Sequence, residues 1–149
     1  MSSKYYIFVA KIYTAMNIQY ISGFFDADGY ISLLKSNKND IAKHVVIGFT
    51  NTEKTILCKI QDFLMEQYSL KGIISSKKPI KEIHKIGYDL KYHYNDALKL
   101  AELLISFHPK KNHRINLSLL EYKTFVKRNG KYSIEELRRL KEFEDRFFD

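Results

Sequence analysis

Cysteine is almost missing from this chain. Cys58 is the only one in 149 residues, so no intramolecular disulfide can form and a zinc site would need other ligands. Long apolar runs are missing as well. None reaches the ~18 residues that a membrane span requires. The longest, residues 5–16, is broken by Lys11 and lacks the small-residue cleavage pattern of a secretory signal. No repeat of solenoid period and no low-complexity linker occurs. The five histidines, His44, His84, His93, His108 and His113, have no tight metal-ligand spacing. A G-x-S-x-G elbow and a phosphate-binding glycine loop are both lacking. The expectation is a chain of the cell interior with no membrane partner.

What the chain does have is apolar content and positive charge. Hydrophobic residues make up 45%, which argues against wholesale disorder. A globular chain of this length buries roughly 70% of its unfolded surface, so one domain over 1–149 is expected, with 1–16 as an N-terminal extension. The net charge is +8, which points to a polyanionic partner, nucleic acid before membrane. Residues 1–131 carry a net +10 and residues 132–149 a net −2. The end of the chain should therefore face away from a phosphate partner. The ratio of 20 Lys to 5 Arg, with 17 Ile and 8 Asn, suggests an AT-rich coding sequence. That would suit an organelle (mitochondrion or chloroplast) or an archaeal or bacterial cytoplasm.

Periodicity divides the chain. Residues 17–27 read as a helix, with Asn17 as N-cap and Gly29 beyond its end. Residues 30–36 and 41–50 read as strands joined by a polar turn at 36–40. Thr50 and Glu53 have capping-box spacing for a helix to about Tyr68, whose Ile56, Ile60, Phe63 and Leu64 share a face. Strands follow at 71–77 and about 88–94, separated by a Lys-rich loop. Asn95 is read as the cap of a third helix with a stripe of Leu98, Ala101, Leu104 and Ile105; Pro109 ends it. A fourth helix is expected from about Asn112 to Arg128, stopped by Asn129-Gly130. Ser133 and Glu136 form a second capping box, for a helix within 132–149. Residues 4–16 have no clear period, and Met16 is an alternative start. The fold class is α+β, in αββαββα order, with an antiparallel sheet covered by helices on one side.

The stretch Ile21-Ser22-Gly23-Phe24-Phe25-Asp26-Ala27-Asp28-Gly29 carries the chemistry. Gly23 and Ala27, four apart, lie on one helix face and let a second backbone approach. Asp26 and Asp28 sit at the C-terminal end, where the helix dipole disfavours anions, so a cation nearby is wanted, and a divalent metal fits. ISGFFDADGYI resembles the LAGLIDADG motif of homing endonucleases: Gly23, Asp26, Ala27, Asp28 and Gly29 match letter for letter. The order of hairpins and helices is also similar to the single-motif members, over roughly residues 17–128.

The resemblance implies several roles. Two motif helices pack together in that family, and this chain has one copy, so a symmetric homodimer with Gly23, Ala27 and Phe24 at the contact is implied. Asp28 of each subunit would lie beside a scissile phosphate and hold Mg²⁺, with Mn²⁺ able to substitute; the Ala27 carbonyl is a further implied ligand. Asp26 is read as structural. Asn51 falls where relatives carry a residue orienting water, or else it caps the following helix. Lys111 takes the position of a pocket lysine that stabilises phosphate charge, with Lys110 the neighbouring alternative.

In that family the sheet lies in the major groove of duplex DNA, where a two-stranded ribbon fits. The less apolar strand faces offer Ser32, Leu34, Ser36, Lys38, His44, Val46 and Gly48, then Ser75, Lys77, Lys91 and His93, with Lys110 and Arg114 beside them. Leu34 and Val46 could touch thymine methyls. Lys78, Lys81, Lys85, Lys123, Lys127 and Lys131 suit phosphates. The reading is a Mg²⁺-dependent, site-specific DNA endonuclease with a near-palindromic target. The alternatives are a maturase acting on intron RNA and a DNA-binding regulator that does not cut.

Overall fold

The computed structural model describes residues 15–79, 81–127 and 130–149. Along the chain run α1 (Ile18–Asp28), β1 (Gly29–Leu34), β2 (His44–Asn51), α2 (Lys54–Tyr68), β3 (Ile73–Lys77) and β4 (Gly87–His93). Then come α3 (Tyr94–Leu103), α4 (Pro109–Leu120), the single turn α5 (Tyr122–Phe125) and α6 (Ile134–Phe148). Residues 1–14 of the expected 1–16 extension lie outside the described residues, as do Ile80, Arg128 and Asn129. No helix among the described residues is long and apolar enough to cross a membrane.

The four strands form one antiparallel sheet in the order β1-β2-β4-β3. Strand alternation decides what each face carries. Ile31 and Leu33, then Val45, Ile47 and Phe49, then Leu90 and Tyr92 are buried toward the helices. Phe49 stands at the centre: Phe25 of α1 meets it edge-on with centroids 6.1 Å apart, and Tyr92 does so at 6.4 Å. Leu57, Ile60 and Leu64 of α2 and Ala97, Leu100 and Ala101 of α3 complete this layer. Each large side chain so buried stabilises the fold by about 1.5–3 kcal/mol. The acidic, strongly amphipathic α6 adds Phe143 and Phe147 against α4 and α5. The α+β expectation, helices on one side of an antiparallel sheet, holds.

Local signals set several boundaries. Asn17 caps α1 by accepting from the Tyr20 amide at 2.8 Å. The Asp40 carboxylate accepts from the amides of Ser36 and Asn37, closing the β1–β2 turn. Ser133 and Glu136 make the reciprocal capping box of α6. Gly29 ends α1 because a Cβ there would fall 2.7 Å from the Phe25 backbone; the chain can turn from helix straight into β1 only without a side chain.

Other expected caps are corrected by competing partners. Thr50 does not cap α2. Its hydroxyl donates to the Asp28 carbonyl, and the Glu53 amide is taken by the Asn51 side chain at 2.8 Å. Asn95 does not cap α3, since helical geometry starts at Tyr94 and the cap position is His93, with no side-chain bond. Tyr94 has φ 52, a left-handed turn that carries β4 directly into the helix. Ile105 is exposed, unlike Leu98, Ala101 and Leu104. The fourth helix starts at Pro109, whose ring suits a first helical position, and it breaks at Glu121 instead of running on.

Candidate active site and nucleic-acid interface

The C-terminal end of α1 gathers polar groups from three other parts of the chain. Asp28 is exposed there. Its Oδ2 accepts from the Asn51 amide nitrogen at 3.2 Å, and its backbone carbonyl accepts from Thr50 at 3.1 Å. Lys111, reaching in from α4, donates to the carbonyls of Phe25 and Asp26, each at 2.8 Å. Its ammonium also lies 5.3 Å from the centre of the Phe25 ring. A cation is therefore seated at the negative end of the α1 dipole. Burial lowers the proton affinity of Lys111, and the nearby Asp26 and Asp28 carboxylates only partly offset this.

Two oxygens are left over. Lys111 and Thr50 serve three of the last four carbonyls of α1. The fourth, on Ala27, receives no side-chain hydrogen bond among the described residues, and neither does Oδ1 of Asp28. Both are hard oxygen donors, as Mg²⁺ prefers. No three His, Cys, Asp or Glu side chains come together among the described residues.

Asp26 has a different task. Its Oδ1 accepts from the Ser106 hydroxyl at 2.5 Å and its Oδ2 from the Phe107 amide at 2.7 Å. Burial would raise this carboxyl. The hydrogen bonds from Ser106 and from the Phe107 and His108 amides, with the Lys111 cation, outweigh that and hold it below the usual carboxylate range. Asp26 thus holds the segment leading into α4 from 80 residues away, and α4 carries Lys111. Ser22 adds a parallel tie by accepting from the Ile105 amide at 3.0 Å.

On the side of α1 away from the core, Gly23 and Ala27 are exposed, and a Cβ at Gly23 would meet nothing within 4 Å. Phe24 is half-buried, its ring 6.2 Å from Phe49.

Register places Ser32, Leu34, His44, Val46, Gly48, Ser75, Lys77, Lys91 and His93 on the sheet face opposite the helices. They are not equally available. Val46 is fully buried on that face, so its methyls are not presented as a thymine contact. Gly48 lies beneath the ring of Tyr30, where a Cβ would fall 2.2 Å from a ring carbon. His44 is buried, 2.9 Å from His93 and stacked on Tyr94 at 4.1 Å. Ser36 contacts both His44 and Tyr94. Lys38 is exposed near the hairpin tip, and Lys110 is exposed on the first turn of α4. Arg114 faces inward: it donates to the Phe147 and Ile31 carbonyls at 3.1 and 3.2 Å and lies over the rings of Phe147 and Phe148. That commits its guanidinium to tying α6 to β1.

Tyr30 and Asp89, not among the residues expected from the strand pattern, also stand on this face. The Tyr30 hydroxyl donates to both oxygens of Asp89 at 3.1 and 3.2 Å, and burial first, then Asp89, pushes the phenol far above its ordinary value. Alternation from Lys91 would have put Asp89 on this face.

A sequence model of the LAGLIDADG-like domain matches residues 15–105. No curated protein sequence matches. Among solved structures the chain is similar to an archaeal intron-encoded homing endonuclease, I-Vdi141I, complexed with DNA. The identity is 18% and the TM-score 0.56, over 87% of this chain and 80% of that one. It is also similar to I-LtrWI, a LAGLIDADG homing endonuclease bound to target DNA, at 17% identity and TM-score 0.55, over 89% of this chain and 44% of the other. A mutant of I-SmaMI aligns at 14% identity and TM-score 0.54, over 87% and 44%. The chain thus spans most of the first protein and under half of the other two. At these identities the likeness is one of fold.

Proposed function

Given that this chain belongs to the LAGLIDADG-like family, we propose that it is a site-specific homing endonuclease that cuts duplex DNA as a homodimer with Mg²⁺. The observation that carries the proposal is the convergence at the end of α1. There Asp28 stands exposed with one oxygen held by Asn51, and Lys111 is seated alongside. The bare Gly23–Ala27 face of α1 supports the pairing of two copies. Two strand cuts need two such ends, and each chain has one.

Asp28 Oδ1 and the Ala27 carbonyl would hold the metal, together with phosphate oxygens and water. When bound, Mg²⁺ (or Mn²⁺) supplies an acidified water and charge neutralisation at the phosphate. The chain's own groups do the rest. Asn51 fixes the Asp28 carboxylate plane, and its link to the Glu53 amide anchors it in turn at the start of α2. Lys111 has three N–H donors and spends two on carbonyls, leaving the third for a phosphate oxygen. Asp26 keeps α4, and hence Lys111, against α1. The sheet face with Lys77, Lys91, Ser32, Ser75 and Leu34 would lie in the major groove, and Lys38 and Lys110 would meet phosphates.

The test is cleavage of intron-less host DNA spanning the insertion junction, with Mg²⁺ and with EDTA. A staggered double-strand cut in Mg²⁺ alone is expected. Asp28→Asn should slow cutting at least ~100-fold and spare binding; a fully active variant refutes the assignment. Tight binding without cutting in Mg²⁺ would favour the maturase, and intron RNA would be the next substrate.

A further inference from the structure

Asp89 is the only acidic residue of the four strands on the sheet face opposite the helices. It is 2% exposed, so it cannot itself reach a base. An anion on a surface that meets phosphates weakens binding by its charge, so its presence there needs a reason. Its Oδ2 lies 3.5 Å from the Lys91 ammonium and 3.6 Å from that of Lys77. Tyr30 holds the same carboxylate from two strands away. It can do so because residue 48, between them, has no side chain. Every strand contributes: Tyr30 from β1, Gly48 from β2, Lys77 from β3, Asp89 and Lys91 from β4.

We propose that Asp89 is a positioning residue that holds Lys77 and Lys91 as a fixed pair for reading guanine edges at adjacent base pairs in each half-site. The proposal rests on the DNA reading above and deepens it. A free lysine is a flexible point charge with three donors and little directional preference. Here two ammonium groups share one buried oxygen. Their separation cannot exceed the sum of the two distances, which keeps them within reach of base pairs one step of ~3.4 Å apart. Both side chains remain partly exposed, so N–H donors remain for a ligand. Lysine donates to O6 and N7 of guanine in the major groove, and no other base offers two acceptors there. A pinned pair reads two neighbouring positions; a free pair contacts phosphates anywhere.

The experiment selects bound sequences from a randomised duplex pool. It uses the full chain in an Asp28→Asn background, so that binding is separated from cutting. Asp89→Asn should lose about tenfold of its preference at one or two adjacent guanines per half-site. Its non-specific affinity should rise, with a salt slope steeper by about one phosphate. Lys77→Met and Lys91→Met change partly exposed side chains and guard against a folding artefact; each should relax the same guanines. If Asp89→Asn keeps the wild-type preferences, or the lysine variants relax none of them, the proposal is overturned while DNA recognition stands. A parent protein that selects no sequence overturns the DNA reading and the proposal with it.

Discussion

Replacing Asp26 with Asn tests whether the first motif acid ties down the segment before α4 or is part of the chemistry. Asp26 accepts from Ser106 at 2.5 Å and from the Phe107 amide at 2.7 Å, with Lys111 close by. Hydrogen bonds to a charged acceptor contribute about 1.5–3 kcal/mol each. Asp26 is only half-buried, so solvent competes and the lower part of that range applies. Asp26→Asn should therefore cost about 1–2 kcal/mol, and Asp26→Ala more, because the Phe107 amide then loses its partner altogether. In a chain of this length 1 kcal/mol corresponds to about 2–4 °C in Tm. The pH dependence is diagnostic. The folded Asp26 carboxyl lies below its ordinary value of 3.8, so its contribution is present at pH above 3.8 and is lost as pH falls through the folded value. The gap between wild type and Asp26→Asn should be full at pH 7 and close in strong acid. Urea unfolding at a series of pH values measures it. Two variants both within about 0.5 kcal/mol of wild type at pH 7, or a gap that survives in acid, would refute this tethering role. Cutting should fall in these variants through displacement of Lys111, so an active-site assay with unchanged rates would count against the same argument.

Other predictions are simpler. Gly23→Leu should leave the isolated chain as stable or more so, since leucine is the better helix former by several tenths of a kcal/mol and its Cβ meets open space. It should abolish self-association in analytical ultracentrifugation, and a surviving dimer would sink the proposed contact. His44 and His93 are both held below their ordinary value of 6.5. Burial is the main cause for each; His93 adds to it for His44 and Lys91 for His93, while Asp40 opposes it at His44. The unfolded chain then takes up protons that the folded pair refuses, so stability should decline as pH drops below 6.5 until the folded values are passed. A His44→Gln, His93→Gln double variant should lose that slope; denaturation midpoints compared between pH 7 and 5 decide it.

Whatever lay within a few residues could be read directly from the sequence. The α1 helix with its Asn17 cap, the polar turn at 36–40 and the capping box of α6 were foreseen because each partner is a near neighbour. The motif residues were visible as an ordered string, and strand alternation assigned the two faces of the sheet. The false caps, Thr50 and Asn95, show the limit of that logic. Their side chains had the right spacing, but Asn51 takes the Glu53 amide while Thr50 donates to a carbonyl 22 residues away, and the left-handed Tyr94 moved the start of α3. The site itself depends on pairs that no local pattern encodes. Lys111 meets the Phe25 carbonyl across 86 positions, Asp26 meets Phe107 across 81, and Tyr30 meets Asp89 across 59. Sequence by itself determined the helices, the strands and the acids at the end of α1, because local propensity and periodicity act over a turn or a strand. The tertiary structure alone decided which cation caps that helix, which groups Asp26 binds, and which lysines are held on the open face. Those choices rest on burial and on hydrogen bonds that exist only after the sheet and helices have packed.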